Sequence, residues 1–194
     1  MPIFFKLLMV ISLISVAVIT HRPAIGAGQN TSAQSIDLGY SVLKLFLEDE
    51  QHLTAIRRVK KVITFRGISN DSTSLIDEIA DSSQLALEQL EKLAAAKPAI
   101  VLNDLSDGSI GKATLDSLRL ATAKEFLLET DNFEKNLLLS QSQILRVISH
   151  LAKQLGEKET NRKRKDWLNK LAERYEDYYR QVYALITVNT KGSA

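Results

Sequence analysis

Apolar residues recur at steps of three and four along most of this chain, and that spacing limits its fold more than any motif does. A first stretch, about Ser35–Phe65, carries Val42, Phe46, Leu53, Ile56, Val59 and Ile63 on one helical face. Gly67 and Asn70–Asp71–Ser72 then supply a stop and the next cap. A second, about Thr73–Ala96, carries Leu75, Ile76, Ile79, Leu87, Leu90 and Leu93 and ends before Pro98. Its acids Asp77, Glu78 and Asp81 come early and Lys92 and Lys97 late, matching the helix dipole. A third pattern runs from Lys112 to Gly156 and would make a rod of about 65 Å. A break near Ala121 or at Thr130–Asp131–Asn132 would bring it to bundle length, leaving a short extra helix before it. The last stretch, about Asn161–Ile186, carries Leu168, Leu171, Tyr175, Tyr178, Val182 and Leu185. No alternation argues for a sheet. The pattern predicts an all-α fold, a four-helix bundle with a short extra helix.

Pro98–Gly111 is rich in Asp, Asn, Ser and Gly and longer than a helix hairpin needs. Extended, this linker could cross the ~36 Å length of the second helix. A ferritin-like crossover between helices two and three is therefore preferred over an up-down-up-down order. It would put Arg58 and Arg164 at opposite ends of the bundle.

Composition removes whole classes of chemistry. There is no cysteine, hence no disulfide framework, thiolate metal site or thiol nucleophile. Only His21, His52 and His150 are present, and Gly-x-Ser-x-Gly, Walker and dinucleotide glycine patterns are absent. No cofactor is expected, and the chain reads as non-enzymatic.

Residues 1–27 read as a secretory signal peptide. Lys6 precedes the apolar run Leu7–Thr20, and small residues follow in Ala24–Gly28. Residues 28–34 form a flexible lead-in, 35–188 the bundle and 189–194 a tail, with a mature start at Ala27 or Gly28. The chain has 25 basic and 23 acidic residues; removing Lys6 and Arg22 with residues 1–27 leaves 23 of each. Such balance does not support nucleic-acid binding. The expected setting is the periplasm or the extracellular space, with no stable membrane span after processing.

Candidate chemistry is sparse. A di-iron bundle needs Glu-x-x-His pairs, and the nearest match is Asp49-x-x-His52, one turn apart on a helix face. One such half-site cannot hold two metals, so a local ion pair or solvated pair is the preferred reading of Asp49 and His52. Asp49, Ser82–Ser83 and Ser140–Gln141 interrupt the seams near mid-helix, and in register they would form one polar layer. By period Asp49 is the acid expected on the buried seam. Two basic clusters stand out: Arg57–Arg58 with Lys60–Lys61, and Arg162–Lys163–Arg164–Lys165. The second lies at a helix start, where cations are unfavourable, and would suit an acidic protein or an anionic surface. Tyr175 and Tyr178 are expected in the core, with Tyr179 and Tyr183 partly exposed. Asn30–Thr31–Ser32 and Asn70–Asp71–Ser72 fit the glycosylation triplet, which matters only in a eukaryotic secretory setting.

Ile76–Ala94, with Leu90–Leu93–Ala94 at its end, resembles the second helix of a family of exported bacterial ferritin-like bundles of unknown function. Ala113–Thr114–Leu115–Asp116–Ser117–Leu118 is similar to the short helix that follows in that family. The resemblance implies a ferritin-like bundle and, as an alternative function, a metal-binding or oxidative-stress protein with a degenerate site. Where the family has Asp-His this chain has Ser82–Ser83, so no functional residue is carried over. The leading expectation is an exported binding protein of unknown ligand.

Overall fold

The computed structural model describes residues 30–52, 54–55, 68–103 and 133–191. The chain divides into two compact units, Met1–Ala33 and Gln34–Ala194. The helix contacts described below belong to the second. The four long helices are α1 (Asn30–Glu50), α2 (Asn70–Ala94), α3 (Phe133–Lys158) and α4 (Arg162–Lys191). Among the described residues there is no strand, and no helix is long and apolar enough to cross a membrane. The expected all-α four-helix bundle is the fold observed. The expected signal segment, the short extra helix, the Arg57–Lys61 cluster and Arg58 lie outside the described residues.

Local chemistry sets the helix ends. Ser69 caps α2, its hydroxyl accepting from the Ser72 N–H at 3.3 Å. Ala95 closes α2, its N–H reaching Glu91 O, three residues before Pro98. α3 is described from Phe133, and both expected break points, near Ala121 and at Thr130–Asp131–Asn132, lie outside the described residues. The Asn161 side-chain oxygen accepts from the Arg164 N–H at 3.2 Å and caps α4. The regular part of α1 stops earlier than the expected Phe65. After Glu50 the ladder tightens to a three-residue step, His52 N–H to Asp49 O at 3.2 Å.

Helix direction follows from cross-helix contacts. Ser149 of α3 donates to Ala172 O of α4 at 2.9 Å, so the two run antiparallel across the short turn at Glu159–Asn161. α2 is also antiparallel to α4: Glu78 meets Tyr178, Ser83 meets Tyr175, and Ala96 and Pro98 meet Arg164. Ser69 and Ser72 both donate to Glu134, which places the N-termini of α2 and α3 together and makes these helices parallel. α1 runs against α3, with Tyr40 on Glu159 and Glu50 by Gln141. The order is up-down-down-up, and the chain between α2 and α3 joins opposite ends of the bundle. Its beginning lies along α1: Val101 N–H bonds Asp37 at 3.3 Å and Asn103 N–H bonds Ser41 at 2.9 Å.

The core is apolar between these polar ties. Leu43 and Leu47 of α1, Ile76, Ile79 and Leu90 of α2, Leu138, Leu145 and Ile148 of α3, and Leu168, Tyr175 and Val182 of α4 are buried. The seams expected for α2 and α4 are those observed, with Leu185 half-buried at the end of the α4 seam. α1 and α3 approach closely at Gly39, where a Cβ would sit 2.6 Å from Leu155 Cδ2 and the leucine side chain would have to shift.

Candidate functional site

The polar layer expected at mid-height exists, with one acid exchanged. Asp49 is half-buried, whereas its neighbour Glu50 is 2% exposed and points inward. The correction has a simple cause. Glu50 continues the buried row Leu43–Phe46–Leu47 by steps of three and four, and Asp49 lies about 100° around the helix from it. Opposite stands Gln141 of α3, 3% exposed, hydrogen-bonded to the Glu50 carboxyl. α2 and α4 complete the layer. Ser83 donates to Ile79 O at 2.8 Å, leaving its oxygen to accept from the Tyr175 hydroxyl at 2.7 Å. On the outer side Tyr178 donates to Glu78 at 3.1 Å, and Arg174 reaches Ser82 at 3.5 Å.

The electrostatics of this layer are dominated by burial. Desolvation, aided by the charge of Asp49, pushes the Glu50 carboxyl up to about 8, and the Gln141 bond pulls it only part of the way back. Desolvation also raises the Tyr175 hydroxyl well above its ordinary range, with a further push from Glu50. Tyr178 is raised for the same first reason, with Glu78 adding to it. Glu50 Oε2 and Gln141 Oε1 are buried and have no hydrogen-bond partner.

A second buried polar cluster closes the end of the bundle where α4 begins. Arg164 is 1% exposed and grips Glu159 through Nε at 2.8 Å and Nη2 at 3.2 Å. Its Nη1 donates to Ala96 O at 3.0 Å and Pro98 O at 2.7 Å, which ties down the end of α2. Tyr40 of α1 donates to the same carboxylate at 2.6 Å, and Asn161 N–H at 2.8 Å. Burial alone would raise the Glu159 carboxyl, but Arg164, Tyr40 and Asn161 together hold it below the ordinary carboxylate range. Burial and the Glu159 charge both push the Tyr40 hydroxyl far up.

This cluster corrects the expected basic patch. Arg162, Lys163 and Lys165 are exposed, but Arg164 turns into the bundle and its charge is neutralised by Glu159. A run of four cations therefore presents three, because a helix turns about 100° per residue and one member must face the core side. His52 is exposed and Asp49 is half-buried. Among the described residues no group of three or more His, Asp or Glu is arranged to hold a metal. Tyr175 and Tyr178 are buried as expected, and Tyr183 is 55% exposed. Tyr179 is half-buried beneath Arg146, whose guanidinium lies 5.9 Å from the ring centre.

Sequence reasoning missed Glu50, Glu159 and Tyr40. The signal for Glu50 was present in Leu43, Leu47 and Glu50, a row as regular as the one through Asp49. Nothing in the sequence marked Glu159, which lies in a turn. Comparison with protein-family models, with curated proteins and with solved structures returns no match.

Proposed function

We propose that the chain is an exported, non-enzymatic helical-bundle protein that acts by binding a partner at its surface. The observation that carries this reading is how the buried polar groups are used. Tyr40, Glu159 and Arg164 close on one another, and Ser83 closes on Tyr175, so these groups join helices. Catalytic groups are instead held with an open position for a reacting atom. The outside carries three exposed cations at the start of α4, Arg162, Lys163 and Lys165, where the helix dipole already favours an anion. An acidic protein or an anionic surface is the partner class that this charge suits.

Metal analysis of the purified protein, paired with melting in chelator and in added divalent metal, tests the reading. The expected result is no stoichiometric metal and melting curves that coincide. Near-stoichiometric iron, manganese or zinc with a metal-dependent rise in melting temperature would overturn it in favour of a ferritin-like protein with an atypical site.

A further inference from the structure

The polar layer is balanced except at one place. Glu50 ends α1 and Gln141 lies one turn past the buried Leu137 and Leu138 of α3; both are almost fully buried. A carboxylate has only acceptors, so the bond between them is donated by the Gln141 amide nitrogen. That leaves Glu50 Oε2 and Gln141 Oε1 buried, neighbouring and without a donor. Orphaned acceptors inside a core are strongly destabilising. One added proton answers both, because a carboxylic acid carries an O–H and an acid beside a primary amide can close two antiparallel hydrogen bonds.

We propose that Glu50 and Gln141 form a proton-binding site joining α1 to α3, in which one proton on Glu50 is donated to the Gln141 amide oxygen and its release loosens α1 from the bundle. The surroundings favour the loaded state. On α1 the neighbouring Asp49 carboxylate repels a second negative charge, and His52 two residues on is exposed. α3 offers the neutral Gln141. From α4 comes the Tyr175 hydroxyl, bound to Ser83 of α2, while Arg174 acts on Tyr175 and Tyr178, and Glu78 of α2 on Tyr178. The step breaks only the O–H bond: the proton passes to solvent, its electron pair stays on the carboxylate, and nothing is oxidised or reduced. Burial and Asp49 place the midpoint at about 8, so the site is loaded at neutral pH and empties under mildly alkaline conditions.

The test combines two measurements on the full chain. Carbon-13 titration of the glutamate side-chain carboxyls is expected to show one group titrating near 8, absent in Glu50→Gln. Melting temperature from about pH 5 to about pH 9.5 is expected to fall in the wild type and stay level in Glu50→Gln, whose amide needs no titrating proton to donate. Glu50→Leu should be level too, but melt below Glu50→Gln, since Gln141 Oε1 then has no donor. Parallel wild-type and Glu50→Gln profiles, or Glu50→Leu melting at or above Glu50→Gln, would overturn the proposal. So would an alkaline loss that added sodium or calcium restores, which would mark a cation site. The titration is read on the wild type and decides the matter even if a variant fails to fold: all glutamates titrating below about pH 6 sinks it.

Discussion

Replacing Arg164 by alanine removes a side chain that makes four hydrogen bonds. It takes away two bonds to Glu159, at 2.8 and 3.2 Å, and the donors to Ala96 O and Pro98 O. Glu159 keeps Tyr40 and Asn161, but its carboxylate, with a side chain only 3% exposed, loses its counter-charge. Removing one partner of a buried pair costs about 3–5 kcal/mol, because the other is left charged and dry. At about 2–4 °C per kcal/mol for a domain of this size, the melting temperature should drop by about 6–20 °C. Arg162→Ala is the matched control: its side chain is 94% exposed, and its 4.0 Å pair with Asp166 contributes little. Urea unfolding of both variants measures the difference. The triple variant Arg164→Met, Glu159→Leu, Tyr40→Phe should recover most of the loss, since replacing a whole buried network by packed apolar groups is often neutral or stabilising. If Arg164→Ala unfolds within about 1 kcal/mol of Arg162→Ala, the cluster does not clamp this end of the bundle.

The two buried acids give opposite pH dependences. Glu50 binds its proton more tightly folded than unfolded, so its contribution is full below the ordinary 4.5 and is lost as pH rises through about 8. That gap corresponds to a span of about 5 kcal/mol at ~1.36 kcal/mol per pH unit, and to less wherever the bundle relaxes around the charge. Glu159 is held below its ordinary value, so its contribution is present above 4.5 and lost as pH falls further into acid. Urea unfolding across pH should therefore find maximum stability on the acid side of neutrality; a maximum above pH 8 would contradict the Glu50 assignment, and stability that does not fall in acid would contradict that of Glu159. Tyr175→Phe should cost about 1 kcal/mol, because Ser83 keeps its bond to Ile79 O; a cost of several kcal/mol would mean a larger network at this hydroxyl. Exchanging Arg162, Lys163 and Lys165 together for alanine should leave stability within about 1 kcal/mol while weakening retention on anionic vesicles at low salt; unchanged retention would remove these cations from the binding surface. Intact mass of exported protein should correspond to a start at Ala27 or Gly28, and a mass retaining Met1 would refute processing.

The sequence alone determined the helical class and the seams of α2 and α4, because apolar period and capping residues act within a few positions of one another. It also located the height of the polar layer through Ser83 and Gln141. Which acid enters that layer was beyond it. Asp49 and Glu50 lie three and four residues past Phe46, both allowed steps on a helix face, and only packing against Gln141 and Tyr175 selects Glu50. The same holds at the end of the bundle. A run of four cations looks solvated in one dimension. Arg164 is drawn inward because parallel α2 and α3 bring the Ala96 and Pro98 carbonyls, the Glu159 carboxylate and the Tyr40 hydroxyl to one point. Those partners lie up to 124 residues away in the chain, from Tyr40 to Arg164, and only the folded arrangement of the helices places them where a buried guanidinium is satisfied.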